Sequence, residues 1–128
     1  MKTILVDAIN MLVIPDKGIF VEMEKLLNSF SNRKIILTNA NTQQMMEFGL
    51  DDMPCEVFTL KRNTEKADPA YYEKMLQHFA LEKDDVIYFE HDENAVKSAQ
   101  SVGIKTYRYD NDKKDLVALK KFLMENFK

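Results

Sequence analysis

The residues of this sequence that could do chemistry fall at the ends of short apolar runs. Asp7 closes the run Ile4 to Val6, Thr38 and Asn39 follow Ile35 to Leu37, and Glu90, His91 and Asp92 follow Val86 to Phe89, while Lys66 stands just ahead of Asp68-Pro69. A carboxylate whose base is anchored in a core can attack phosphorus and take a phosphoryl group as an aspartyl phosphate. That requires a cation and hydrogen-bond donors to neutralise the transferring oxygens. Thr38 and Asn39 are candidate donors to such oxygens, and Lys66 is a candidate fixed positive charge. Asp7 with Glu90 or Asp92 could hold Mg2+, a hard ion that takes oxygen ligands in octahedral geometry. Taken singly, Asp7 reads as a turn former and Thr38 as a cap; only the combination points to a site.

For four such positions to meet, the chain must bring distant strand ends to one rim. Five β-rich runs do this in principle: Thr3 to Asp7, Lys34 to Thr38, Glu56 to Leu60, Asp85 to Glu90 and Lys105 to Tyr109. They alternate with helical patterns, the signature of βα units and a parallel sheet covered on both faces. Ile19, Met23, Leu26, Leu27 and Phe30 recur at helical spacing after a polar start at Asp16 and Lys17. A shorter helix is expected over Asn41 to Phe48, ahead of Gly49. Asp68-Pro69 supplies an N-cap and a proline for the first helical position, leading through Tyr71, Tyr72, Met75 and Leu76 to Phe79. Two more helices are expected, from about Glu93 to Val102, ended by Gly103, and from Lys113 to the C-terminus. In open α/β sheets ligands sit beyond the carboxyl ends of the strands. The positions to inspect are therefore Asp7 and Asn10, Thr38 and Asn39, Lys61 to Lys66, and Glu90 to Asp92.

Composition sets the limits. The 128 residues carry 45% hydrophobic side chains, with 8 Phe and 5 Tyr, enough for residues 1–128 to fold as one domain without disulfide or metal staples. Charged residues make up 30% with both signs interspersed, and the net charge of -3 offers no basic stripe, so nucleic-acid binding is not expected. No apolar run approaches the roughly 20 residues of a membrane span. The single Cys55 cannot form an internal disulfide, and the opening MKTILVDAIN lacks the pattern of a secretory signal, so a cytoplasmic location is expected.

Together the four positions resemble the motifs of the haloacid dehalogenase-like superfamily, mostly phosphohydrolases on a Rossmann-like sheet. The family's first motif, an apolar strand ending in Asp-x-Asp-x-Thr or Val, stands here as ILVDAINM, Ile4 to Met11. Its second, an apolar strand ending in Ser or Thr, stands as KIILTNAN, Lys34 to Asn41. Its third, a lysine commonly followed by Pro-Asp-Pro, stands as EKADPAYYEKML with Ala67 in place of the first proline. Its fourth, an acidic strand end and a helix closing at Ala-x-x-x-Gly, stands as VIYFEHDENAVKSAQSVGI, Val86 to Ile104. The matches run from Lys2 to about Tyr109. The resemblance implies a three-layer α/β fold with a sheet of about five parallel strands. It further implies Asp7 as nucleophile, Thr38, Asn39 and Lys66 around the phosphoryl group, and Mg2+ on Asp7, Glu90 and the backbone carbonyl of Ile9.

The departures from the family pattern are specific. The second aspartate of the first motif, the family's general acid and base, is Ile9, which can neither protonate a leaving group nor activate water. Losing that function typically costs about a hundredfold to ten-thousandfold. Glu90 and His91 occupy the place of the usual pair of aspartates. His91 reads as a surface residue at the mouth of the crevice, with a role in place of the missing acid as the alternative. Asp92 reads as the cap of the following helix, with metal binding as its alternative. Met11 replaces the usual Thr or Val. Only 31 residues separate Asp7 from Thr38, room for a short flap at Ile9 to Gly18 and one helix, so no cap domain is expected. The flap's apolar residues, Met11 to Ile14, read as core or as a patch for homo-oligomer formation. An open site favours a phosphorylated small molecule or macromolecule, a partner serving as lid, or no turnover.

Three readings follow. The first is a magnesium-dependent phosphatase-type hydrolase with weak or narrowed activity. The second is a catalytically inactive binding or regulatory protein on the same fold. The third is a PIN-like nuclease, suggested by ILVDAINMLV alone; it needs three or four carboxylates, and its second region offers only Glu47. A receiver domain would place its acidic pair after the first strand and its phosphoacceptor after the third, an order this chain does not have. A dehalogenase would carry a tyrosine at position 9 and an enclosing cap.

Overall fold

The computed structural model of the chain describes residues 2–9, 11–14, 17–50, 55–60 and 64–126. Asn10, Pro15, Asp16 and Lys61, named above as site, flap or helix-start positions, lie outside the described residues. Five strands, β1 (Thr3–Asp7), β4 (Lys34–Thr38), β5 (Glu56–Thr59), β6 (Val86–Glu90) and β7 (Lys105–Arg108), form one sheet in the order β5-β4-β1-β6-β7. Every pairing is parallel. This is the doubly wound order, which reverses direction beside β1, and such a reversal opens a crevice at the carboxyl ends of the central strands. A receiver domain is ruled out by topology as well as by motif order, since its first strand lies one place from the edge.

Both faces of the central strands are apolar, as a sheet sandwiched between helices requires. Ile4, Val6, Ile36, Ile87 and Phe89 face a core completed by Met23 and Leu27 of α1 (Val21–Asn28) and by Leu119 and Leu123 of α5 (Leu116–Glu125). Leu5, Ile35, Leu37, Val86 and Tyr88 face the opposite core. It is completed by Tyr71, Tyr72 and Met75 of α3 (Pro69–Phe79) and by Ala99 of α4 (Glu93–Ser101). The two-residue period of a strand puts Asp7 on the same face as Leu5, and Glu90 on the same face as Tyr88. The register that pairs Val6 with Phe89 carries these two acids along side by side, on the face covered by α3 and α4.

The chain between β1 and β4 departs from expectation. Val13–Ile14 (β2) and Gly18–Ile19 (β3) form a two-stranded antiparallel hairpin, and α1 starts at Val21 rather than near Lys17. Ile19, expected on the buried helical face, belongs to the hairpin and is exposed. The reason is local: Met11, Leu12 and Val13 all turn their amides to the Ala8 carbonyl, folding the chain back on itself before helix can begin. These three side chains are buried in the core, and Ile14 is half-buried. The short α2 (Thr42–Glu47) starts with a capping box between Asn41 and Gln44, one residue inside the expected span. Asp68 caps α3 as expected, with Pro69 at its first position. The last helix starts at Leu116 rather than Lys113, because Asp115 is its N-cap. Among the described residues no cap domain interrupts the sheet, and no helix is long and apolar enough to cross a membrane.

Candidate active site

Asp7, Thr38, Lys66 and Glu90 are all less than a tenth exposed and meet at the carboxyl rim of β1, β4 and β6. They line a pocket of about 260 Å³ together with Ile9, Asn39, Gln44, His91 and Asp92. Lys66 arrives from the turn before α3. Its position is fixed from behind by Asn39, whose side-chain oxygen accepts the Lys66 backbone N–H at 2.9 Å. Its ammonium Nζ donates to Asp7 Oδ1 at 2.7 Å and to Glu90 Oε1 at 2.6 Å, and it lies 3.2 Å from the Leu37 carbonyl. One buried cation thus ties two strand ends together.

Glu90 is the most fully bonded member. Oε1 also accepts the Tyr88 hydroxyl at 2.7 Å, and Oε2 accepts the backbone N–H groups of His91 at 2.9 Å and Asp92 at 3.3 Å. All four lone-pair positions of a carboxylate are therefore taken. The Tyr88 hydroxyl lies 3.5 Å from that of Tyr72, and the Tyr71 hydroxyl donates toward the carbonyls of Thr38 (2.8 Å) and Phe58 (3.1 Å). Three tyrosines thereby form the floor beneath the ion cluster.

His91 stands differently from the surface residue read in the sequence. Its Nδ1 is hydrogen-bonded to Asp7 Oδ2 and lies 3.1 Å from Glu90 Oε2, and only about a quarter of its side chain, 23%, is exposed. Asp92 is exposed and caps α4, accepting the Ala95 N–H at 3.1 Å. Thr38 Oγ1 accepts the Ala40 N–H at 3.1 Å, which leaves the hydroxyl proton free to point into the pocket. Asn39 spends its oxygen on Lys66, leaving its amide N–H groups for a ligand. The Ile9 side chain packs, partly buried, against the core.

The electrostatics follow from one lysine serving two buried acids. Burial pushes the Asp7 carboxyl up to about 7; Lys66 pulls against that rise and Glu90 adds to it. Burial alone would raise Glu90 as well, but Lys66 and its hydrogen bonds hold it well below the ordinary carboxylate range. Lys66 would lose affinity for its proton through burial, yet the two carboxylates leave it raised. The hydrogen bonds to Asp7 and then Glu90 push the His91 imidazole up to about 10. With His91 charged the four groups sum to zero; with it neutral, one negative charge is left buried.

The donors suit a divalent cation. One ligand atom from each of Asp7, Glu90 and His91 lies within 4.8 Å of the other two, the one such group among the described residues. It contains two carboxylates, fewer than a PIN-like nuclease requires, and Glu47 sits exposed on α2, bonded to Gln43. The tyrosine floor was not foreseen, whereas His91 was a candidate whose hydrogen bond to Asp7 the sequence did not display. Tyr88 could have been found from its spacing, since it stands two residues before Glu90 on one strand and must share its face.

No family model and no characterised protein matches the sequence. Solved structures do. An uncharacterised protein from Listeria monocytogenes serotype 4b superposes with a TM-score of 0.75 at 13% identity, covering 98% of each chain. A HAD family enzyme from Bacteroides thetaiotaomicron, in complex with magnesium and inorganic phosphate, superposes with a TM-score of 0.66 at 15% identity, covering 93% of this chain and 98% of that one. A HAD-superfamily hydrolase of subfamily IA from Geobacter sulfurreducens superposes at 0.59 with 14% identity, covering 93% and 96%. With the strand order and the placement of the four rim residues, these likenesses identify the fold: the chain has the haloacid dehalogenase-like fold, a Rossmann-like α/β sandwich.

Proposed function

We propose that the chain is a cation-dependent phosphohydrolase of narrowed activity, acting on phosphorylated compounds whose leaving groups depart without a proton. In this reading a carboxylate oxygen of Asp7 forms a bond to phosphorus as the bond to the leaving oxygen breaks, and the leaving group takes the electron pair. Water then attacks the aspartyl phosphate and releases inorganic phosphate and Asp7. Lys66 Nζ, the Thr38 hydroxyl and the Asn39 amide hold the equatorial oxygens, and Glu90 keeps Lys66 in place. A divalent cation on Asp7, the Ile9 carbonyl and the acidic strand end would offset the repulsion between carboxylate and phosphate. The motif resemblance and the magnesium in the Bacteroides neighbour support Mg2+ as an ion that such a site can use. Ile9 supplies no proton, which restricts good substrates to aryl and acyl phosphates.

The observation that carries this reading is the meeting of Asp7 and Lys66 at 2.7 Å beside Thr38 and Asn39 in one pocket at the strand ends. Burying a lysine and two carboxylates is costly unless each is paired, and a cluster of this kind in a crevice is a candidate functional site. The test is hydrolysis of an aryl phosphate with and without Mg2+. We expect cation-dependent turnover that falls at least a hundredfold in Asp7→Asn, and a gain toward alkyl phosphates in Ile9→Asp. Equal rates for the intact protein and Asp7→Asn would establish the second reading, a phosphate-binding or regulatory protein. That reading is favoured by Ile9 and by the closure of both Asp7 oxygens by Lys66 and His91.

A further inference from the structure

We propose that the cation site of this chain prefers a first-row transition ion of the Co2+ or Zn2+ class to Mg2+, with His91 Nδ1 as a direct ligand. The inference rests on the reading that a cation binds beside Asp7, and it names which cation that is. Two observations lead to it. Glu90 already receives four donors, so it is the member least able to give a lone pair to an ion. The other ligand atoms of the three-residue group are Asp7 Oδ2 and His91 Nδ1, bonded to each other across 84 positions of sequence.

The ring is built to present that nitrogen. The N–H groups of His91 and Asp92 are held on Glu90 Oε2, and Asp92 in turn caps α4, so the backbone carrying the imidazole is pinned on both sides. No described group bonds Nε2, so the ring is oriented through Nδ1 alone. Imidazole nitrogen suits Co2+, Fe2+ and Zn2+, whereas Mg2+ takes oxygen ligands and surrenders its water reluctantly. On binding, the proton shared between Nδ1 and Asp7 leaves for water and the ion takes its place. A carboxylate at position 91 would give an all-oxygen set; histidine there exchanges a hard donor for a borderline one.

Any mixed site binds later transition ions more tightly than Mg2+. The decisive quantity is therefore how the preference changes when His91 is replaced. Metal-free protein would be titrated calorimetrically with Mg2+ and with Co2+, for the native chain and for His91→Asp. We expect the Co2+ preference to shrink at least tenfold in His91→Asp. An unchanged ratio would overturn the proposal. A second readout leaves the cluster intact: pulsed electron paramagnetic resonance of bound Mn2+ should show coupling to an imidazole 14N in the native protein and in His78→Ala. Loss of that coupling in His78→Ala, its absence from the native protein, or failure of Co2+ or Mn2+ to bind would each overturn the inference. Catalysis through Asp7 is judged separately, by the Asp7→Asn rate with Mg2+ alone.

Discussion

Glu90 touches more of the site than any other side chain: it holds the Lys66 ammonium, the Tyr88 hydroxyl and the two backbone amides that start the turn into α4. Its replacement by glutamine keeps the shape but turns one acceptor into a donor, facing either an ammonium or two N–H groups. It also leaves Lys66 balanced by Asp7 alone. Removing one partner from a buried ion pair costs about 3–5 kcal/mol. Glu90→Gln is therefore expected to lower unfolding free energy by that order in urea. Asp92→Ala, which removes only a helix cap, should cost about 1 kcal/mol. Similar costs for the two would mean that Glu90 is no more than part of a turn. At this scale Asp7, Thr38, Lys66 and Glu90 were legible because each ends an apolar run or precedes a capped helix, patterns that sequence displays directly. The pairing of His91 with Asp7 was not, since it depends on the angle at which the β6 strand leaves the sheet. The Tyr71 and Tyr72 hydroxyls were hidden too, because aromatic residues at helical spacing read as packing.

Elements carry these residues to the rim, and their ends set how well. The helix α4 must stop in time for β7 to lie beside β6, and Gly103 provides the stop with φ +96°, a backbone conformation that side chains other than glycine rarely adopt. A Cβ built there would lie 2.8 Å from the Lys83 Cδ, the flexible part of a side chain that can move aside. The backbone is the harder constraint. Gly103→Ala should destabilise the protein by about 1–2 kcal/mol, measured as a lower Tm, while leaving cation binding at the distant rim unchanged. A loss of binding without loss of stability would show α4 to be adjusting the site rather than merely ending. Strands and helices with strong caps were read to within a residue or a few: β1 and β4 match in full, and α3 starts at its Asp68-Pro69 signal. The hairpin β2–β3 escaped because Met11 to Ile14 is a continuous apolar run. Such a run fits helix or strand alike, and the turn onto the Ala8 carbonyl decides between them.

Over the whole molecule, the ion cluster makes stability depend on pH in a direction that its parts fix. A group whose pKa is raised on folding holds its proton more tightly in the folded state. It contributes in full below its unfolded value, and that contribution fades as pH climbs through the folded one. For His91 the window runs from the ordinary 6.5 to about 10. Asp7, raised from 3.8 to about 7, sheds the last of its contribution at the low end of that window, and Glu90, depressed below 4.5, contributes across all of it. Lys66, raised above 10.5, holds its contribution throughout. Burial lifts the Cys55 thiol above 9.0, so it adds to the loss near the top of the window. Its part cancels when two proteins that share it are compared. A hydrogen bond to a charged group contributes about 1.5–3 kcal/mol, and the partial exposure of His91 puts the expected loss near the low end. Metal-free protein in chelator should therefore unfold at progressively lower urea between pH 6.5 and pH 10, and His91→Asn should remove most of that slope. A slope equal in both proteins would mean that the imidazole carries no extra proton on folding. The cluster would then keep a net negative charge buried between its two acids, with only the ammonium to oppose it.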